Sequence, residues 1–397
     1  MRITIILGPF FPIPPVLGGA VEKVHFLLGR AYRDAGHHVT IISRKYRDFA
    51  DDEVVDGIRY LRIPSFDNSS SILMNLMKDF RYALRASRKL PPSDITITNS
   101  FFLPLLLPRR TAGRIYVHAA RFPKGQMFLY SHADRIQAIS SAVASAIICQ
   151  APQLSKKVFV VGYPLDDVYF RAVDPVDRKK TILFVGRIAR EKGIELLIKA
   201  LRYLEQSVST DLSGWKLRIV GPHEIRKGGD GVEYLRELRG LAESLKCDCE
   251  FAGAIFDEHV LITEYRRAMV FVYPSLADTG EAFGLAPLEA MATGCAVVVS
   301  NLDCFDDFID DGVNGLKFDH RSSNPEVSLA LTLRRLIVEP DMMKRIVRNG
   351  TQTTRRFHTC RIAQSMIKDF EKLIGDPHAS ATSEKDERRR VLNREAG

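Results

Sequence analysis

Two carboxylates eight residues apart, Glu281 and Glu289, stand in the stretch running from Val270 to Gly294. The apolar residues Val270 to Tyr273 predict a buried strand that stops at Pro274-Ser275, and a polar loop follows. From about Gly284 the pattern turns helical. Leu285, Leu288 and Met291 recur at spacings of three, and Gly294 stands where a helix-ending glycine belongs. Pro287 is compatible with that helix only in its first turn. The first amides, around Phe283, Gly284 and Leu285, then lack intrahelical partners and carry the positive end of the helix dipole, which makes a seat for a phosphate or diphosphate. Glu281 comes just before the seat, and Glu289 lies roughly 7.5 Å along the helix. Two carboxylates that flank an anion site without filling it suit a nucleoside diphosphate sugar, whose hydroxyl-rich ends can donate to them. The plainer alternative has Glu281 capping the helix and Glu289 on a solvated face.

A second cationic cluster follows the strand Thr181 to Val185. Arg187 and Lys192 stand at the strand end and the start of the next helix, where they can complement a diphosphate or form a solvated loop pair. Gly18-Gly19 opens a helix after the first strand and lets backbone approach a ligand, though a bare glycine pair also makes a simple turn. His118 ends the strand Arg114 to Val117, at the carboxyl edge where open α/β sheets place ligands.

The wording of these segments resembles one family. Glu281-x7-Glu289 with Phe283-Gly284 and Glu289-Ala290-Met291-Ala292, the run Gly186-Arg187-Ile188-x-x-Glu191-Lys192-Gly193, and Gly18-Gly19-Ala20-Val21-Glu22-Lys23 are similar to motifs of the GT-B retaining glycosyltransferases of family 4. The resemblance spans roughly residues 2–375. It implies two Rossmann-like α/β/α domains facing each other across a cleft, the second holding a nucleotide sugar and the first most of the acceptor site. It also implies that Glu281 touches the donor sugar and Glu289 the nucleotide ribose, that Arg187 and Lys192 bind the diphosphate, that Gly18 and Gly19 pack beside it, and that a histidine such as His118 contacts the sugar. The implied reaction is transfer of a hexosyl group to a hydroxyl acceptor with the anomeric configuration retained, in polysaccharide, glycolipid or other glycoconjugate synthesis. No cofactor and no metal are expected, because no Asp-x-Asp wording stands out and the two cations would substitute for a divalent ion. After the strand ending at Ser300, many family members carry a glycine pair, whereas this chain has Asn301-Leu302-Asp303-Cys304-Phe305-Asp306. Two other readings stay open: a non-catalytic nucleotide-sugar-binding or scaffold protein, and a nucleotide-sugar 2-epimerase of the same fold.

The elements that must position these residues alternate as strand and helix in both halves, an α/β pattern. Domains are expected at 1–170 and 178–358, with a polar linker at 171–180, a helix at 361–374 crossing back to the first domain, and a charged, disordered tail at 376–397. The first strand feeds no G-x-G-x-x-G, which argues against a dinucleotide enzyme. The N-terminal apolar run is interrupted by Pro9, Pro12, Pro14 and Pro15, so it predicts a strand rather than a signal peptide. Six scattered cysteines, only Cys247 and Cys249 of them clustered, fit a reducing cytoplasm rather than a disulfide or zinc framework.

Charge is uneven. The chain carries 57 Lys+Arg against 48 Asp+Glu, net +9, and residues 1–174 hold 23 and 14 of them while the remainder is balanced at 34 each. An anionic partner near the first half is therefore expected: an acidic lipid, an anionic or lipid-linked acceptor, or nucleic acid. Nucleic acid lacks a supporting motif. The segment Ile72 to Leu90 predicts a helix with Leu73, Leu76, Met77, Phe80 and Leu84 on one face and Lys78, Arg81, Arg85, Arg88 and Lys89 around them. It reads either as a core helix with a solvated basic face or as a membrane-surface helix, which would place the protein peripherally on the inner face of a membrane.

Overall fold

The computed structural model describes residues 1–69, 71–171, 178–208 and 210–375. Most of the expected linker and the whole expected tail lie outside the described residues. The chain divides into two compact units, Met1–Pro164 with the segment from Thr359 onward, and Leu165–His358.

In the first unit the strands are β1 (Arg2–Ile6), β2 (His38–Arg44), β3 (Asp52–Val55), β4 (Ile58–Ile63), β5 (Ile95–Thr98), β6 (Arg114–Ala119), β7 (Arg135–Ala138) and β8 (Val158–Val160). They form one sheet in the order β3-β4-β2-β1-β5-β6-β7-β8. All neighbours are parallel except β3, which turns back on β4 in the hairpin that Asp56-Gly57 predicts. The helices are α1 (Ala20–Asp34), α2 (Ile72–Arg88), the single turns α3 (Leu103–Leu106) and α4 (Arg109–Ala112), and α5 (Ser141–Gln150).

The second unit holds β9 (Lys179–Val185), α6 (Ile194–Gln206), β10 (Lys216–Val220), α7 (Gly231–Ala242), β11 (Asp248–Gly253), α8 (Glu258–Arg267), β12 (Ala268–Tyr273), α9 (Leu285–Ala292), β13 (Ala296–Ser300), β14 (Leu316–Phe318), α10 (Pro325–Val338) and α11 (Pro340–Thr354). Its sheet is parallel throughout, in the order β11-β10-β9-β12-β13-β14. Helix cover on both faces requires apolar residues on both faces of the strands, and β13, Ala296 to Ser300, is buried along its whole length. The two sheets make each unit Rossmann-like.

Three sequence expectations shift. Residues 165–170, assigned to the first domain, pack with the second: Leu165 N–H donates to the Phe357 carbonyl and Arg266 to the Val168 carbonyl. Lys179 and Lys180, assigned to the linker, begin β9. On α2 the residues packed inward are Asp79, Tyr82, Ala83 and Ala86, while Leu73, Met77 and Phe80 face solvent, so the core-helix expectation for that apolar face does not hold. The inward face combines two alanines with a carboxylate and the fully buried Tyr82, and Leu73, Met77 and Phe80 are turned out.

The final helix, α12 (Thr359–Gly375), returns to the first unit. Asp369 takes a two-pronged ion pair from Arg135 of β7 at 2.6 and 2.9 Å, and Phe370 meets the rings of Tyr32 and Tyr116 edge-on.

Candidate functional site

Strand order fixes where ligand-binding loops gather. In the second unit the chain runs outward from β9 through β10 to β11, then restarts beside β9 with β12. The connections leaving β9 and β12 therefore diverge to opposite faces and leave a crevice at the carboxyl ends of those two strands. Arg187 and Lys192 follow β9, and Glu281 follows β12.

Two close backbone contacts join these loops. Gly193 sits at φ 67°, and a side chain there would reach within 1.9 Å of the Pro274 carbonyl oxygen, so only glycine fits. Leu276 N–H donates to the Glu191 carbonyl at 2.7 Å. Held this way, Lys192 brings its ammonium 2.7 Å from Glu281 Oε2 and 5.3 Å from the centre of the Tyr273 ring. The pair is mostly withdrawn from solvent, with side-chain exposures of 8% and 11%. Burial pushes the Tyr273 hydroxyl well up, with the Glu281 carboxylate adding to it, so this phenol stays protonated. Arg187 reaches sideways, to Glu191 at 2.6 Å and to the carbonyl of Gly228. Lys192 in turn lies 3.9 Å from Glu191. Arg187, Glu191, Lys192 and Glu281 thus form one chain of alternating charge.

Helix α9 begins at Leu285 with Gly284 as its N-cap at φ 87°. A side chain on Gly284 would come within 2.3 Å of Phe305, which lies fully buried beneath it. Phe305 belongs to the segment that replaces the glycine pair after β13 and makes an edge contact with Tyr273. Leu285 and Ala286 supply first-turn amides, and Pro287 takes a place where no donor is needed. Glu289, one turn further, is buried rather than on a solvated face. Tyr265 O–H donates to its Oε2 at 3.0 Å, and Tyr169 also hydrogen-bonds the carboxylate. Burial, then the nearby carboxylate, pushes both phenols up, which keeps them as donors. The structure therefore assembles Arg187, Lys192 and Glu281 as one group, while Glu289 is tied from beneath by two tyrosines.

The first unit carries the other candidates. Gly18 and Gly19 end the loop after β1, and Gly19 caps α1. The Glu22 carboxylate folds back against Gly19 at that helix start, buried, and its acidity is weakened by desolvation. His118, on β6, is also buried, with its ring 4.6 Å from His25 in an edge-to-face contact and 5.9 Å from Tyr163 in a stack. Gln137 Nε2 donates to the Val161 carbonyl, which leaves Gln137 Oε1 to accept from His118 Nδ1 at 2.9 Å. The ring then holds its hydrogen on Nδ1 and a lone pair on Nε2, and that Nε2 is buried with no protein partner. Burial drives the His118 pKa down to about 4 and that of His25 well below its usual value. His118 is a neutral acceptor, suited to a hydroxyl hydrogen.

His25, Gln137, Tyr169, Tyr265 and Phe305 were not picked out from the sequence. Each is distant in sequence from the residue it supports, and only the α1 spacing of Glu22 and His25 offered a local signal. Among the described residues, no group of three His, Cys, Asp or Glu side chains could hold a metal ion. The Cys247 thiol is pushed up to about 12 and that of Cys249 to about 11, chiefly by burial, which leaves both poor ligands and nucleophiles.

Residues 167–353 match the family model of glycosyl transferases group 1. The chain is 33% identical over 134 residues to a lipopolysaccharide 1,2-N-acetylglucosaminetransferase of Salmonella typhimurium, covering 34% of this chain and 33% of that protein. It is 32% identical over 200 residues to a phosphatidyl-myo-inositol mannosyltransferase of Mycobacterium tuberculosis, covering 49% and 48%. The chain thus spans half or less of the length of these two relatives. Sucrose-phosphate synthase from Thermosynechococcus elongatus superimposes with a TM-score of 0.73 at 21% identity, over 94% of this chain and 99% of that one. HepE of Anabaena, solved with UDP-glucose, gives 0.67 at 17%, over 94% and 100%. The chain has the GT-B fold, and its second unit carries the match to the glycosyl transferases of group 1.

Proposed function

We propose that the protein is a retaining glycosyltransferase that moves a hexosyl group from a nucleotide diphosphate sugar to a hydroxyl of a growing glycoconjugate. The observation that carries this reading is the Lys192–Glu281 pair, held beside Arg187 at the crevice of the second sheet, with the open first turn of α9 in the same connection after β12. In this reading the donor diphosphate lies against the amides of Leu285 and Ala286, next to Phe283 and Gly284. Glu281 accepts from a sugar hydroxyl, and Glu289, fixed by its tyrosines, accepts from the ribose. As the bond from the anomeric carbon to the diphosphate oxygen breaks, its electron pair leaves with the nucleoside diphosphate, and Lys192 and Arg187 stabilise the growing charge. The acceptor oxygen bonds the anomeric carbon on the same face, and its proton passes to the departing phosphate. No protein nucleophile, cofactor or metal ion enters the scheme. UDP-glucose in the HepE structure and the lipid-linked substrates named for the two relatives support a uridine donor and a glycolipid or polysaccharide acceptor.

A thermal-shift panel of nucleotides and nucleotide sugars tests the donor, since a ligand at ~100 times its Kd stabilises the folded state by about 2.7 kcal/mol. Uridine diphosphate sugars are expected to raise the melting temperature. The reading fails if no nucleoside diphosphate does. Donor consumption then separates the remaining alternatives: a transferase consumes donor only with an acceptor, a 2-epimerase converts the sugar without one, and a scaffold does neither.

A further inference from the structure

Helix α2 is turned the wrong way round for a helix on a soluble surface. Its inward residues include a buried carboxylate, Asp79, which accepts from Ser100 Oγ at 3.0 and 3.1 Å and from Phe102 N–H at 3.0 Å. Those bonds lock the helix to the loop after β5 and fix its rotation. Pointing outward are Ile72, Leu73, Met77 and Phe80, which are 75%, 69%, 45% and 41% exposed. The patch continues past the helix, because Phe80 meets Phe102 edge-on at 5.3 Å and Leu105 of α3 is also exposed. Large apolar side chains gathered on one face mark an interaction surface.

Charge selects the occupant. The apolar residues fill the first half of α2, and Arg81, Arg85 and Arg88 stand exposed along the second half. Among the described residues none of these arginines pairs with a carboxylate; Arg85 donates to the Pro64 carbonyl at 2.8 Å and lies over the Phe66 ring, while the guanidinium groups of Arg81 and Arg88 stand open to solvent. The whole positive surplus of the chain lies within residues 1–174. A second copy of the chain would bring two such arginine clusters into one interface without counter-charges. The match for an apolar stripe continued by arginines without counter-charges is an anionic lipid surface, with the stripe at the acyl boundary and the free guanidinium groups of Arg81 and Arg88 on the phosphates. No described helix is long and apolar enough to cross a membrane, so the contact is lateral.

We propose that the outer face of α2, extended by α3, docks the first unit onto an anionic bilayer. The proposal does not depend on the glycosyl-transfer reading. It is tested with the full chain and two vesicle preparations, phosphatidylcholine alone and phosphatidylcholine with phosphatidylglycerol. The expected result is co-sedimentation with the anionic vesicles, weakened by salt, and little with the neutral ones. The double variant R81E/R88E should lose at least ~30-fold in vesicle partitioning. The variant L73E/F80E should lose at least ~10-fold even at low salt. R81E/R88E should melt with the wild type, since both side chains are exposed, and L73E/F80E slightly below it, because Phe80 also meets Phe102. Equal binding to both vesicle types, no binding, or variants that bind like the wild type would overturn the proposal. So would a lipid-free dimer, seen by analytical ultracentrifugation, that L73E/F80E dissociates, because the face would then belong to a second copy.

Discussion

Lowering the pH from 7 to 5 should weaken the first unit, and His118 sets much of the size of the effect. In the fold its pKa is about 4, because the ring is buried, and in the unfolded chain it returns to 6.5. Between those values the unfolded chain binds a proton that the folded chain does not. The contribution is therefore fully present above 6.5 and is lost as the pH falls toward 4. The whole gap is worth about 3 kcal/mol at 1.36 kcal/mol per pH unit, and about 2 kcal/mol of it falls between pH 7 and 5. His25 acts in the same direction, while Glu22, whose acidity burial weakens, gains a proton more readily on folding and opposes it near the acid end. The comparison that isolates His118 is wild type against His118→Phe, which keeps an aromatic ring against Tyr163 and His25. Urea unfolding followed by far-ultraviolet circular dichroism at the two pH values gives the change for each protein. The variant should lose about 2 kcal/mol less than the wild type on acidification, whatever its absolute stability. Emission from the single tryptophan, Trp215, follows the second unit as an internal reference. Equal losses in the two proteins, or a His118 resonance titrating near 6.5 by NMR, would refute the argument that burial holds this ring neutral.

What was legible in the sequence follows the range of the interactions. Strands such as Ile3 to Ile6 and Val270 to Tyr273 are short apolar runs whose neighbours in sequence suffice to define them, and α9 was placed by Pro287 and Gly294 to within a residue or two. The meeting of Lys192 with Glu281 spans 89 residues, and neither periodicity nor local spacing encodes it. It rests on the return of β12 beside β9 and on the contact of Gly193 with Pro274. Glu289 could be drawn on a helix but not assigned a face, because its tyrosines come from α8 and from the turn at Asp167–Tyr169. The rotation of α2 stays open in the sequence for a related reason. Hydrophobic spacing identifies one face of a helix, but burial of Asp79, decided by Ser100 and Phe102, determined which face turned in.

Gly284→Ala should destabilise the second unit by at least ~2 kcal/mol, because a side chain at positive φ also collides with Phe305. Denaturant unfolding measures it, and a loss below the cost of the dihedral alone would mean that Phe305 moves aside. Glu289→Ala should weaken nucleotide binding by roughly 1.5–3 kcal/mol, the scale of a charge-assisted hydrogen bond. It should lower stability as well, by leaving the Tyr169 and Tyr265 hydroxyls unpaired, and calorimetry showing unchanged nucleotide affinity would remove Glu289 from the site. For Lys192→Ala the expectation is a larger loss in kcat than in donor affinity, since the interaction strengthens as charge moves onto the leaving diphosphate. That variant also strands the Glu281 carboxylate, at a cost on the order of 3 kcal/mol for a buried pair and less for this partly exposed one. The double variant K192M/E281Q removes both charges, so its melting temperature should recover toward the wild type while turnover does not. Recovery of turnover along with stability would show the pair to be a brace between two loops, and the charge stabilising the leaving group would then have to come from Arg187 and the amides of α9.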